Sequence, residues 1–445
     1  VEAGTVGLFS WLTKKSRSSV SGAVDILSPE HKAKLYSFYA RLRAEAPVYS
    51  TTLPDGQRAW LITRYDDVVN VLKDERFAKD RVHALKQFWI PGMLRELARN
   101  MLHRDGAEHA RLRALVQKAF APRLVERMRP RVQALADELL DAAGRRGRLD
   151  LIRDYAQPIP TTIIAEMLGV PVRDRHRFQR WSRAIVSATP SFWGMVKIVP
   201  PLWAFMRYNR ALVRARRQSP RDDLLSALVH AREAGERLTE DEVVAMVCLL
   251  LIAGHETTVN LIGNGMLALL QHPDQLEVLR SDPSLIRSAV EELLRFDSPL
   301  ETATDRFAAE DLTVAGVTIP RGEIVFAAIG SANRDERQFA NPDTLDIRRE
   351  PNKHLAFGLG AHYCLGAPLA RLEGQIAINT LLRRARLRLA IAPGALRYRR
   401  GLALRGLEAL PVSIVEWMDE GARDERSRLS RIMGTRRQIQ SVGVR

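Results

Sequence analysis

The stretch Phe357-Gly358-Leu359-Gly360-Ala361-His362-Tyr363-Cys364-Leu365-Gly366 holds residue types at a spacing that could do chemistry. Its glycines let the backbone approach a flat partner and let amide N–H groups turn toward a sulfur. A helical pattern starts directly after Cys364, and the positive end of a helix dipole lowers a thiol pKa and favours thiolate. Such an anion could attack a substrate, but a nucleophilic cysteine needs a base and an orienting group, and His362 is too generic a neighbour to identify one. Zinc needs three or four ligands, and the second cysteine, Cys248, lies far along the chain in an apolar run. A single thiolate suits haem iron, where it favours O–O cleavage. The bland alternative is a glycine-rich turn around an inert buried thiol.

A second candidate sits in a long helical pattern. Thr239 and Glu242 have capping-box spacing, and nothing interrupts the periodicity of 239–270 until Pro273. At 1.5 Å per residue this helix would run roughly 45 Å, enough to cross a whole domain. Its middle carries Gly254, His255, Glu256, Thr257 and Thr258, polar or weakly helical residues where burial should be deepest. Local rules of this kind fail most often at functional sites. Glu256 and Thr257 form an acid–alcohol pair able to relay a proton. The competing reading is a threonine bonding back to the carbonyl four residues earlier, without chemistry. His255 reads as a packed or partly solvated histidine.

The elements that must position these residues are mostly helical. Helical periodicity covers 108–120, 123–144, 154–168, 173–187, 202–217, 222–234, 284–296 and 367–386 in addition to the long helix. Strand–turn–strand patterns occupy Val48 to Thr63, around Pro54-Asp55-Gly56, and Leu312 to Ile329, around Gly316 and Pro320-Arg321-Gly322. The expected class is mainly α with a minor β part. With no long linker and no fixed repeat, one domain over 29–416 is expected. Residues 1–28 read as a poorly ordered leader and 417–445 as a basic solvated tail.

Composition narrows the partners. The chain has 46% apolar and 27% charged residues, enough to bury a sizeable core. Lys and Arg number 68 against 52 acids, a formal charge of +16 that would steer acidic partners toward it. The basic residues are dispersed and carry no nucleic-acid-binding signature, so nucleic acid is not expected. Two cysteines in dissimilar settings make a disulfide framework improbable and point to a reducing, cytoplasmic setting. The run Val243 to Gly254 is too short for a membrane span and reads as part of a buried helix. The N-terminus has its charges in the wrong order for a secretory signal.

The cysteine stretch resembles, at every position, the haem-binding signature of cytochrome P-450 monooxygenases, Phe-Gly-x-Gly-x-His-x-Cys-x-Gly. Ala253-Gly254-His255-Glu256-Thr257-Thr258 resembles that family's oxygen-activating helix segment, and Glu292-Leu293-Leu294-Arg295 its Glu-x-x-Arg pair. The resemblance covers roughly residues 30–415 and is nearest the soluble bacterial branch. It implies a cytochrome P-450-type fold, with haem b between the long core helix and the cysteine loop. Cys364 would then be the axial thiolate, with Phe357 shielding the sulfur, Gly358 among the cofactor-binding residues and His362 reaching a propionate. By the same resemblance His109, Arg113 and Arg306 would bind the propionates. Residues four apart share a helix face, so the spacing of His109 and Arg113 supports the pairing independently. The family usually has a proline before that Glu-His pair, where this chain has Gly106-Ala107, so a looser helix entry is expected. Arg349 resembles the third member of the Glu292–Arg295 network. Ala253 and Gly254 would let the helix approach the porphyrin.

The implied reaction inserts one oxygen atom from O2 into a hydrophobic small molecule, with electrons from a separate ferredoxin and ferredoxin reductase. By resemblance the pocket is lined by 83–102, 188–207, 298–302 and the stretch near Leu404. Phe88, Trp89, Ile90, Phe192, Trp193, Met195, Trp203 and Phe205 make parts of these apolar. Core packing explains the same aromatics equally well. Arg81, Lys86 and Arg95 could meet a carboxylate or be solvated. A peroxide-driven haem enzyme, which would not need the acid–alcohol pair, and a non-catalytic haem-thiolate sensor are the rival readings.

Overall fold

The computed structural model describes residues 26–53, 56–80, 100–120, 122–144, 148–186, 192–232 and 235–418. The pocket-lining residues expected in 81–99, and most of the leader and tail, lie outside them. Ile26 and Leu27, inside the segment read as leader, are buried against the body.

The long helix forms as its sequence pattern requires. Glu240–Gln271 spans 32 residues, about 48 Å at the usual rise, and the capping box is complete. The Glu242 amide donates to Thr239 Oγ1 at 3.2 Å and the Thr239 amide to Glu242 Oε2 at 2.8 Å, satisfying two otherwise orphaned donors. Helices Pro158–Met167, Ile286–Phe296 and Ala367–Arg384 pack around it. Among the described residues it is the one helix long and apolar enough to cross a membrane, and its two ends lie buried in the main hydrophobic core. Its centre behaves differently. Leu250, Gly254 and Thr257 are half-buried and Ala253 is exposed, four positions on one helical face. The break in the apolar pattern therefore coincides with a face bordering open space.

Most expected helices appear with shifted ends. The 123–144 pattern divides at Met128 into Pro122–Arg127 and Arg129–Gly144. The 154–168 pattern opens with a turn of π-helix over Ile152–Ala156 before Pro158–Met167. The 222–234 helix is only Leu224–His230. The helix expected from 202 instead runs Phe192–Gln218 and contains Pro200 and Pro201. Each proline removes an N–H donor, yet its fixed φ is compatible with continued helix.

The β part is larger than the two hairpins expected. Strands β1 (Val48–Thr52) and β2 (Arg58–Ile62) form the first hairpin, in register Val48↔Ile62. They join β3 (Phe77–Ala78), β5 (Arg306–Ala308) and β8 (Ile324–Ala327) in the order β1-β2-β8-β5-β3. Arg306 is thus the first residue of a strand, paired with Val325. Strands β6 (Leu312–Val314) and β7 (Val317–Ile319) make a separate ribbon, turning at Ala315 and Gly316, both at positive φ as a two-residue hairpin requires. A further sheet, β4-β10-β9, joins Arg148–Asp150, Pro411–Trp417 and Ala385–Leu389. Its strands escaped the sequence reading, and β9 takes the end of what read as helix 367–386.

Candidate active site

The cysteine loop is held from both sides. The Cys364 amide donates to the Phe357 carbonyl at 2.9 Å, closing the loop on itself. Gly358 and Gly360 lie at φ +69° and +73°, and a Cβ on Gly360 would stand 3.1 Å from the Leu72 carbonyl oxygen, so this close approach favours glycine. Phe357 is half-buried, and the Arg371 guanidinium lies 4.3 Å from its ring centroid. Arg371 is in turn held bidentate by Glu291 at 2.7 and 2.8 Å. Burial pushes the Cys364 thiol up, and this outweighs the amides of Gly366 and Ala367 and the guanidiniums of Arg113 and Arg371, which pull it down. The expected net lowering by the following helix is therefore not found in the protein alone.

Basic side chains gather beside this loop. His109 and Arg113 share a face of helix Gly106–Ala119, and the His109 ring stacks 4.2 Å from the ring of His362. Gly106 itself, at φ +56°, opens this helix in the place where the family has proline. Arg306 is buried, its guanidinium donating to the carbonyls of Phe77 at 3.3 Å and Leu72 at 3.4 Å. Burial moves each of these groups toward its neutral form. It lowers Arg306 to about 10, lowers His109 to about 4 with His362 and Arg113 adding to the effect, and lowers Arg113 and His362 as well. His109 Nε2 and Arg306 Nε are buried without a hydrogen-bond partner. The cluster is short of negative charge.

Two neighbours complete it that the sequence did not single out. Asp105 stands 3.8 Å from His362 Nε2 and accepts the amides of Lys79 at 2.8 Å and Asp80 at 2.7 Å, tying loop, helix and strand end together. An aspartate immediately before a helix was a readable signal. Lys79 is buried, donates to the carbonyls of Thr304 at 2.8 Å and Asp305 at 3.0 Å, and is lowered to about 7 by burial and the nearby Arg306. Nothing local in the sequence marks it.

On the core helix, Glu256 is buried and its Oε2 accepts from Arg399 Nη1 at 2.7 Å. Thr257 Oγ1 donates to the Ala253 carbonyl at 3.0 Å, the local bond that the sequence allowed for. A Cβ on Gly254 would meet nothing within 4 Å, so this glycine faces open space. His255 is buried, its Nδ1 held by the Leu251 carbonyl at 2.6 Å. Among the described residues no hydrogen bond joins Ala253, Gly254, Glu256 or Thr257 to the cysteine loop.

Beneath the loop, Glu292 and Arg295 form a fully buried bidentate pair at 2.7 and 2.8 Å. Arg349 adds a contact to Glu292 at 3.1 Å, and Arg295 also donates to the carbonyls of Asn333, Pro342 and Thr344. Of the aromatics offered as pocket lining, Phe205 is fully buried and packs 5.2 Å from Phe178 in the core. Trp203 is 54% exposed, with the Arg207 guanidinium 5.0 Å from its ring centroid. The side chains of Phe192, Trp193 and Met195 lie outside the described residues.

This donor set fits haem b. Two propionate carboxylates would supply the negative charge the basic cluster lacks, the two orphaned nitrogens are donors they could take, and a thiol ringed by amides and cations suits iron.

Comparison with known proteins agrees. The profile of the family described as "Cytochrome P450" matches residues 24–391. The polyketide biosynthesis cytochrome P450 PksS of Bacillus subtilis is 43% identical over 392 residues, covering 85% of this chain and 95% of that one. The vitamin D(3) 25-hydroxylase of Pseudonocardia autotrophica is 47% identical over 378 residues, covering 84% and 93%. The solved structure of PksS superposes with a TM-score of 0.83, covering 87% of this chain and 98% of that one. Sequence signature, helix-rich architecture and relatives converge, and the chain belongs to the cytochrome P450 family of haem-thiolate monooxygenases, oxidoreductases whose haem iron takes a cysteine as axial ligand.

Proposed function

We propose that this protein oxygenates a hydrophobic small molecule, with Cys364 as the thiolate on haem iron. The observation that carries the reading is the gathering of His109, Arg113, Arg306 and His362, two of them with orphaned buried nitrogens, beside the cysteine loop. When bound, haem supplies the reductive activation of O2: R–H + O2 + 2 e⁻ + 2 H⁺ gives R–OH + H2O, or an epoxide from an alkene.

The chain's own residues hold the group and manage protons. His109, Arg113, Arg306 and His362 bind the propionates, and Arg371 presses Phe357 into place to screen the sulfur from water, with Gly358 giving the loop its turn. Ala253 and Gly254 leave room on the core helix for the porphyrin and for O2. Glu256 takes protons from solvent and Thr257 passes them on, which requires the Thr257 hydroxyl to leave the Ala253 carbonyl or to share its proton. Electrons come from a ferredoxin and its reductase, the acidic ferredoxin drawn by the +16 charge in a cytoplasmic, reducing setting. The relatives' printed names, a polyketide-pathway enzyme and a vitamin D(3) hydroxylase, support a large apolar substrate.

The test is isotopic. A panel of polyketide and sterol-like compounds is first screened for a haem spin-state change, and the responders are turned over under 18O2 with ferredoxin and reductase. One 18O atom per product molecule is expected. Label entering from water, or product formed only with added peroxide, would contradict the assignment.

A further inference from the structure

Glu256 does not stand alone in the polar break of the core helix. Its Oε2 accepts from Arg399 Nη1 at 2.7 Å, across 143 residues of chain. The neighbouring histidine cannot substitute for that arginine. His255 Nδ1 lies 2.6 Å from the Leu251 carbonyl, which only accepts, so Nδ1 carries the proton. Its Nε2 lies 3.9 Å from Glu256 Oε1, beyond hydrogen-bond reach.

Arg399 is well placed to hold the carboxylate still. Its own amide donates to the Gly406 carbonyl at 2.9 Å, and the adjacent Tyr398 bridges to Leu407. Tyr398 lies under the Arg405 guanidinium at 4.1 Å, and Arg405 is paired with buried Asp297 at 2.5 Å. The backbone bearing Arg399 is thus fixed to the interior, while its side chain, 34% exposed, runs from solvent to the buried acid. A guanidinium does not release its proton at physiological pH, so it cannot pass one on. What it can do is fix the direction in which Glu256 points.

We propose that Arg399 is a positioning residue for proton delivery, holding the Glu256 carboxylate between solvent and Thr257. This rests on the Glu256–Thr257 relay described above. Without Arg399 the carboxylate samples other rotamers, protons arrive late, and reduced oxygen leaves as peroxide. The balance is countable without a substrate: NADPH + H⁺ + O2 gives NADP⁺ + H2O2, whereas full reduction consumes 2 NADPH and 2 H⁺ per O2 and yields 2 H2O.

The experiment uses the haem-loaded full chain with a plant-type ferredoxin and ferredoxin–NADP reductase. Peroxide formed per NADPH is measured in the parent protein, Arg399→Met, Arg399→Lys and Glu256→Gln, beside the infrared carboxylate band that Glu256→Gln removes. Arg399→Met is expected to shift that band and raise the peroxide fraction by about twofold or more, with the lysine variant close to the parent in both. The reduced carbon monoxide spectrum should be unchanged in all four. An unmoved band and peroxide fraction in Arg399→Met, with a raised fraction in Glu256→Gln, would leave the relay intact and overturn the role of Arg399. An unaltered fraction in Glu256→Gln would overturn the relay itself and this proposal with it.

Discussion

Arg306 condenses the logic of the site at the residue scale. A guanidinium forced by burial down to about 10, with Nε lacking a partner, is unfavourable unless an anion arrives. Arg306→Met should therefore weaken haem retention roughly 10- to 100-fold, the range expected for a buried hydrogen bond to a charged group. The rate of haem transfer to apomyoglobin measures this, and a parental rate would remove Arg306 from the propionate set. Glu373 offers a pH-dependent check. It is fully buried on the cysteine helix opposite Thr258 of the core helix, and burial raises it to about 8 from 4.5. The folded chain thus binds a proton that the unfolded chain loses between those values, so this group makes stability fall as pH rises through that window. Glu373→Gln should be more stable than the parent by on the order of a few kcal/mol above about pH 8 and equal near pH 4, read from denaturant midpoints. An equal gain at both pH values would contradict the assignment. Residues with a local motif, such as Cys364, Phe357 and His109, were legible from the sequence. Lys79 and Arg399 were not, because their partners lie more than two hundred and more than one hundred residues away.

At the scale of elements, the loop that bears Cys364 is only as fixed as the network under it. Glu292 bridges Arg295 and Arg349 and accepts the Asp346 amide at 3.0 Å, so one helix grips the segment that leads into the loop. An acid and a base three apart on a helix are ordinarily an exposed pair of small value, and burial changes the sign of that judgement. Glu292→Leu would strand Arg295 as an unpaired buried charge, costing about 3–5 kcal/mol. Glu292→Leu with Arg295→Met should recover part of that loss. Denaturant midpoints decide it, and a single variant within about 0.5 kcal/mol of the parent would contradict a locking role. The long helix was legible through its capping box and unbroken period. The strands Phe77–Ala78 and Arg148–Asp150 were not, because two or three residues show no alternation and their pairing comes from distant chain.

At the scale of the whole molecule, the class was readable, and so was the set of basic residues that gathers beside Cys364, while the substrate was not. Mainly helical periodicity with two hairpin signals gave the architecture, because long amphipathic and apolar patterns survive tertiary context. The pocket depends on which aromatics turn toward it, and Phe205 and Trp203 show that composition cannot decide that: one is fully buried and the other 54% exposed. The basic balance is likewise a property of the whole surface and steers acidic partners without naming one. What unites the scales is a thiolate at residue 364 bound to haem iron. The most direct test is the absorption spectrum of the dithionite-reduced protein under carbon monoxide. A Soret band far to the red of that given by histidine ligation, abolished in Cys364→Ser, is the expected result. A band at the histidine position in the parent protein, or one that survives the serine substitution, would contradict it.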